Sequence, residues 1–241
     1  MKIDNQWYEG LGDNWWDSRG PISLLHEINP ARFDYFKKAI GTLRGLRLLD
    51  VGCGGGLLAE CFAREGAIVS GVDLSLSSLA AAERHSRAGR MSIDYVNASG
   101  DSLPFRDSSF DAVVSADFLE HVTDLETVVA ECARVLKPSG LFLYDTINRT
   151  LRSRFVAVWL FERILGLIPR HTHDPRMFIK PEELRSVMAR NGITNRETRG
   201  LTPERGPLAA LASLAKHRGA GPYIVTQDTA ISYLGYGVKA A

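Results

Sequence analysis

The run Leu48-Leu49-Asp50-Val51-Gly52-Cys53-Gly54-Gly55-Gly56 constrains this chain more than any other stretch. An apolar strand pattern runs without pause into a glycine cluster, and a helical pattern over residues 57–65 begins at once. A strand apolar on both faces, followed directly by a helix, is the opening of a βαβ unit, and such units build parallel sheets. The alternation continues to Thr146. Strands are predicted at 46–51, 67–72, 92–96, 111–115 and 141–145, with further helices at 76–86 and 125–136. Pro138 and Gly140 are expected to stop the last of these helices. A helix at 181–191 and a β-rich tail at 224–238 complete the expected fold: α/β, with a seven-stranded, mostly parallel sheet and helices on both faces. Residues 1–44, which hold Trp7, Trp15 and Trp16, are expected to form a helical cap. Residues 45–241 then form the sheet domain, with an inserted helical segment at about 149–180.

Bulk properties narrow the function classes. A hydrophobic content of 45% and a charged content of 24% suit a globular protein with a real core. The net charge of +1 gives no electrostatic case for nucleic acid. Cys53, Cys61 and Cys132 form no CxxC pair and read as reduced thiols. The polar opening MKIDNQWYEG lacks the layout of a signal peptide. No apolar run approaches the ~18 residues of a membrane span. The expected location is cytoplasmic.

The glycine loop lets backbone N–H groups and a helix N-terminus approach a ligand. Gly54-x-Gly56-x-x-Ala59 formally matches a dinucleotide fingerprint, so glycine spacing alone separates nothing. Asp50 favours a different ligand. A carboxylate ahead of the loop repels a pyrophosphate but supports the ammonium and sulfonium of S-adenosylmethionine. Asp73, with Leu74 beside it, ends the second predicted strand about 20 residues on, where an acidic side chain can accept both ribose hydroxyls. A cap on the following helix is the plainer role for Asp73, although Ser75 can serve there. Ser99, Gly100 and Asp101 open a loop placed for the adenine.

With these motifs in view, the chain resembles class I methyltransferases and, more narrowly, the ubiquinone-biosynthesis O-methyltransferases. The resemblance runs through Trp15-Trp16-Asp17, Leu25-His26-Glu27-Ile28-Asn29-Pro30-Ala31-Arg32, the glycine loop and Leu119-Glu120-His121-Val122. It resumes at Asn148-Arg149, Pro169-Arg170, Thr172-His173-Asp174 and Phe178-Ile179-Lys180-Pro181, and so covers most of the chain to about Leu201. It implies a Rossmann-like domain that methylates a phenolic or catechol hydroxyl on a small aromatic, polyprenylated ring. It also implies cofactor contacts at Arg32, Gly52, Asp73 and Phe118, beside Gly54 and Asp50 in the loop. The chain departs from the pattern in three ways. Phe118 replaces a usual methionine, Ser99 an acidic residue, and residues 207–218 look like an added helix ahead of a closing strand only loosely echoed at 229–236.

A catechol hydroxyl is mostly protonated near neutral pH, so a base or a metal Lewis acid is useful. If 117–121 is helical, Asp117, Glu120 and His121 share one face and suit a divalent cation such as Mg or Zn. The resemblance supports a cation, although Asp117 stands where the family carries a Glu. Glu120 and His121 are also the base candidates, with His173 next. The plainer readings are a capping Asp117, a packed His121 and a loop-ordering His173.

Residues 151–168 are apolar around more than half of a helix and are flanked or interrupted by Arg152, Arg154, Arg163 and Arg170. This pattern suits peripheral contact with anionic lipid at the inner face of the membrane, against a buried helix or a dimer interface. Other functional readings are a natural-product O-, N- or C-methyltransferase, a non-enzymatic cofactor-binding protein, and an NAD-dependent oxidoreductase, against which Asp50 argues.

Overall fold

Two helices, α1 (Asn5–Leu11) and α2 (Ser23–Ile40), separated by a 3-10 turn at Gly12–Trp16, precede the sheet in a computed structural model that describes residues 5–156, 174–214 and 219–241. Strands β1 (Arg47–Val51), β2 (Ile68–Asp73), β3 (Ile93–Asn97), β4 (Phe110–Ala116) and β5 (Leu136–Ile147) pair in parallel. Helices α3 (Leu57–Arg64), α4 (Leu76–Ala88) and α5 (Leu125–Val135) lie between them in sequence. After β5 come α6 (Leu151–Ser153), α7 (Pro181–Arg190), β6 (Ile193–Pro203), α8 (Pro207–Leu214), β7 (Tyr223–Thr226) and β8 (Ser232–Lys239).

Side chains alternate along a strand, so each central strand feeds two cores. Leu48, Ala112, Val114 and Leu143 pack with Phe36 of α2 and with Leu58, Ala59 and Phe62 of α3. Their neighbours Leu49, Val51, Val113 and Phe142 pack with Val128, Val129 and Cys132 of α5 and Leu184 and Met188 of α7. This sandwiching is why β1 and β4 read as continuous apolar runs.

The sheet has eight strands, in the order β3-β2-β1-β4-β5-β8-β6-β7, where seven are expected from sequence. The β-rich tail divides into β7 and β8 and does not form one strand. β6 is easily missed, because its sequence ITNRETRGLTP shows little apolar alternation. It is nevertheless held between β8 and β7 by antiparallel ladders. A second correction concerns Pro138 and Gly140. α5 already ends at Val135, and the chain passes straight into β5, so both residues lie within that strand. The register against β4 shifts there, between Phe110 and Ala112, and an irregular stretch tolerates a residue with no N–H to donate.

The expected helix at 151–168 lies mostly outside the described residues. Its first part contains α6, where the Thr150 hydroxyl accepts the Ser153 N–H at 3.0 Å. Leu151 is 84% and Phe155 53% exposed. Among the described residues no helix is long and apolar enough to cross a membrane.

Candidate active site

Chain order reverses at β1, with β2 and β3 on one side and β4 and β5 on the other. Loops leaving neighbouring strands part at such a reversal, which opens a crevice at their carboxyl ends. The loop after β1 and the segment after β4 flank a cleft of about 790 Å3.

The loop is built for close approach. Gly52 sits at φ +77°, and a Cβ there would come within 2.3 Å of the Phe118 ring. The Gly52 and Cys53 amides donate to the Val72 carbonyl at 2.8 and 3.0 Å. Gly54 N–H donates to Asp73 Oδ2 at 2.9 Å, and Ser75 N–H donates to Asp73 Oδ1 at 2.8 Å. Ser75 in turn caps α4 by accepting the Ser78 N–H at 3.1 Å. The cap is therefore Ser75, and Asp73 clasps the glycine loop at the cleft wall. Burial pushes the Asp73 carboxyl above its ordinary range, against the pull of these amides.

Asp50 is 2% exposed, and its Oδ2 has no hydrogen-bond partner among the described residues. Burial raises its carboxyl to about 7, opposed by Arg32 and reinforced by Asp73. An unpartnered carboxylate oxygen on a cleft wall is a suitable counter-charge for a cation. Leu74, Ser99, Gly100 and Asp101 line the same cleft, and the Phe118 ring lies against both Gly52 and Gly100.

The segment after β4 departs from expectation. Asp117 has φ +50°, outside helical space, and a 3-10 turn begins only at Leu119–His121. The helical face expected to unite Asp117, Glu120 and His121 does not form. The buried Arg32 guanidinium of α2 is the physical reason. It draws Asp117 into an ion pair and donates to Asp145 Oδ2 at 2.6 Å. Glu120 turns inward to 4% exposure, where it accepts the Thr146 hydroxyl at 2.8 Å. His121 lines the cleft with its ring edge-to-face to Tyr8, centroids 6.2 Å apart. Among the described residues no group of three His, Cys, Asp or Glu side chains gathers to hold a metal ion. Asp117 is committed to Arg32 and Glu120 to Thr146, so the expected cation donors do not fit as a set. His173 lies outside the described residues.

Burial, reinforced by Asp117, pushes Glu120 up to about 8. Burial likewise lifts Asp145 to about 7, with Arg32 opposing. Burial thus raises the carboxyl groups of Asp50, Glu120 and Asp145 along the cleft that the glycine loop borders.

Residues 49–144 match the family described as Methyltransferase domain. The chain is 39% identical over 228 residues to the ubiquinone biosynthesis O-methyltransferase of Ralstonia nicotianae, covering 94% of this chain and 90% of that one. It is 38% identical to the enzyme of the same name from Alkalilimnicola ehrlichii, covering 95% and 88%. The chain belongs to the ubiquinone biosynthesis O-methyltransferase family. The fold agrees with a SAM-dependent methyltransferase from Aquifex aeolicus, at TM-score 0.64 and 16% identity over 99% of this chain and 100% of that one. The protein is accordingly an S-adenosylmethionine-dependent methyltransferase.

The cleft also holds two structural partners that sequence reasoning missed. Asp145 is the first. A lone acid closing the apolar run LFLYD, two residues before the end of β5, was a usable signal, because a buried charge near a carboxyl-end rim needs a reason. The second is the cover over the loop. A Cβ on Gly54 or Gly55 would come within 2.5 or 2.3 Å of the Trp15 ring, whose Nε1–H donates to Ser78 Oγ at 2.8 Å. Nothing in the spacing of Trp15 ties it to a loop about 40 residues away.

Proposed function

We propose that the protein transfers the methyl group of S-adenosylmethionine to a phenolic or catechol hydroxyl on an apolar aromatic acceptor. One observation carries the reading: a single cleft joins the Asp50–Asp73 wall, the Glu120 segment and an apolar wall that includes Leu201, Pro203, Tyr223 and Ile231. The names of the curated relatives, in ubiquinone biosynthesis, point to a polyprenylated ring as the acceptor. Bound S-adenosylmethionine supplies an electrophilic methyl on a sulfonium whose positive charge is lost on transfer. Asp50 offsets the ammonium charge, Asp73 exchanges loop amides for ribose hydroxyls, and Gly52, Gly54, Gly100 and Phe118 shape the groove. Leu74, Ser99 and Asp101 border the nucleoside. Glu120 accepts the proton of the acceptor hydroxyl, and the cap of residues 1–44 helps to exclude water from the cleft. A divalent cation at Asp117, Glu120 and His121 does not suit the observed donor set, so no step runs through one. Residues 151–168 supply peripheral contact with anionic lipid at the inner face of the membrane, which brings the cytoplasmic enzyme to a lipid-borne acceptor.

The added helix α8 and strand β7 beside the apolar wall favour a second reading, a soluble natural-product acceptor methylated on oxygen, nitrogen or carbon. Mass spectrometry of products from a labelled cofactor and a panel of catechols, phenols and amines separates the two. O-methyl catechols are the expected product, and N- or C-methylation alone would overturn the first reading. Turnover is expected to survive EDTA. Loss reversed by Mg2+ or Zn2+ would show that the 117–121 segment rearranges around a cation.

Cofactor binding should depend on pH. The ammonium favours ionised Asp50, whose carboxyl stands at about 7 in the free protein. Affinity is expected to rise about tenfold from pH 6 to pH 8, as the ionised fraction climbs from roughly a tenth to nine-tenths. Calorimetry on wild type and Asp50→Asn tests this. A wild-type affinity flat across that window would remove Asp50 from cation binding.

A further inference from the structure

An aromatic chain from the N-terminal segment spans the two halves of the cleft. Trp15 covers Gly54 and Gly55. The Tyr8 ring stacks on Trp15 with centroids 6.2 Å apart and an interplanar angle of 18°. It also meets His121 edge-to-face at 6.2 Å and 79° and Trp7 edge-to-face at 4.7 Å, and Trp15, Tyr8 and His121 all line the cleft. Tyr8 is the middle member, between the loop that holds the donor and the segment that carries Glu120.

This position is fixed from outside the ring. The Tyr8 carbonyl accepts the Ser78 hydroxyl at 3.3 Å. The next residue, Glu9, accepts the Leu76 and Ser77 amides at 2.9 and 3.3 Å, so α1 is tied to the first turn of α4. That helix starts three residues after Asp73, so these bonds fasten α1 beside the Asp73 wall of the cleft. Burial, reinforced by the facing carboxylates of Glu120, Asp117 and Asp73, keeps the Tyr8 hydroxyl protonated above its ordinary range. A proton donor held among carboxyl groups can bind an acceptor oxygen that those groups would repel.

We propose that Tyr8 is a specificity-determining residue of the acceptor site, its ring seating the acceptor against His121 and its hydroxyl donating to the second oxygen of a catechol. The inference rests on the phenol-methyltransferase reading and deepens it. A catechol presents two adjacent oxygens. One faces Glu120 and the donor methyl, and the other needs a hydrogen-bond donor that is not itself a base. Removing that donor penalises catechols and leaves monophenols nearly untouched, because a site built for a hydroxyl discriminates most against ligands that lack it.

The test is steady-state kinetics with 4-methylcatechol and 4-methylphenol on wild type, Tyr8→Phe and Tyr8→Leu, together with calorimetry of S-adenosylhomocysteine. Tyr8→Phe is expected to raise the catechol KM about tenfold, the scale of one lost hydrogen bond. The catechol-to-phenol ratio of kcat/KM should fall by a similar factor, with cofactor Kd unchanged within twofold. Tyr8→Leu is expected to lower kcat for both acceptors as well, because the ring wall is gone. Unchanged catechol KM in both variants, with an active wild type, would overturn this inference alone. A cofactor Kd that worsens in step with KM would also overturn it, since Tyr8 would then only fasten the cap. A wild type that methylates neither phenol would overturn the functional reading and this inference together.

Discussion

Arg32→Leu is expected to lower folding stability by about 3–5 kcal/mol at pH 8, the cost of leaving buried charge without its partner. Arg32 is 6% exposed at its side chain and Asp145 2%, so solvent screens the pair little. Asp117 pairs with Nη2 of the same guanidinium. The loss should shrink in acid. The Asp145 carboxyl is raised to about 7 in the folded protein, from an ordinary 3.8. A carboxyl raised by folding contributes stability that is fully present below the ordinary value and is lost as pH rises through the folded one. Removing Arg32 raises Asp145 further, because Arg32 is what opposes burial there. The deficit against wild type is therefore expected to be larger at pH 8 than at pH 5. Denaturant titrations at both pH values measure it, and Arg32→Leu combined with Asp145→Asn should recover part of the loss. A deficit below about 1 kcal/mol at pH 8 would put this cluster in the class of exposed ion pairs.

The same cluster shows where sequence reasoning stops. The strand–loop–helix unit at Leu48–Leu57 was legible because local chemistry dictates it. Apolar residues buried on both sides give β1, and glycines give the turn. Asp50 and Asp73 were legible as cleft residues because their strands end at the rim of a parallel sheet. Asp117 was not. An offset of three and four residues places it beside Glu120 and His121 only on a helix, and Arg32, 85 residues away, pulls it out of helical space into a positive φ. A contact between α2 and the end of β4 has no signature in either segment. The same holds for β6, a strand by virtue of the ladders on both its sides, and for Tyr8, whose place depends on Glu9 capping a helix far along the chain. Pro138 and Gly140 mark a different limit. Their chemistry was read correctly as breaking a helix, but Val135 had already ended it.

Glu120→Gln is expected to lower kcat by a factor of about 10²–10³, within the span of removing a positioned general base, while cofactor affinity stays within twofold. The side chain is nearly isosteric, and its carbonyl can still accept the Thr146 hydroxyl, so the fold is spared. What disappears is the ability to take a proton. Burial, reinforced by Asp117, lifts this carboxyl from 4.5 to about 8 in the free protein, and a cationic donor in the cleft draws it down. Wild-type kcat/KM for the acceptor should thus rise with pH along a limb centred at or below about 8, and Glu120→Gln should lose that limb. The stability sign runs the other way. Because folding raises this carboxyl, it contributes less as pH climbs from about 4.5 to 8, so Glu120→Gln is expected to match or exceed wild-type stability above pH 8. A slower but more stable variant is what separates a proton-handling group from a structural one, whose loss would lower both. Retention of kcat within threefold, with the limb intact, would remove Glu120 from proton transfer. If His121→Ala then flattened the limb, the base would be the neighbouring imidazole at the cleft wall.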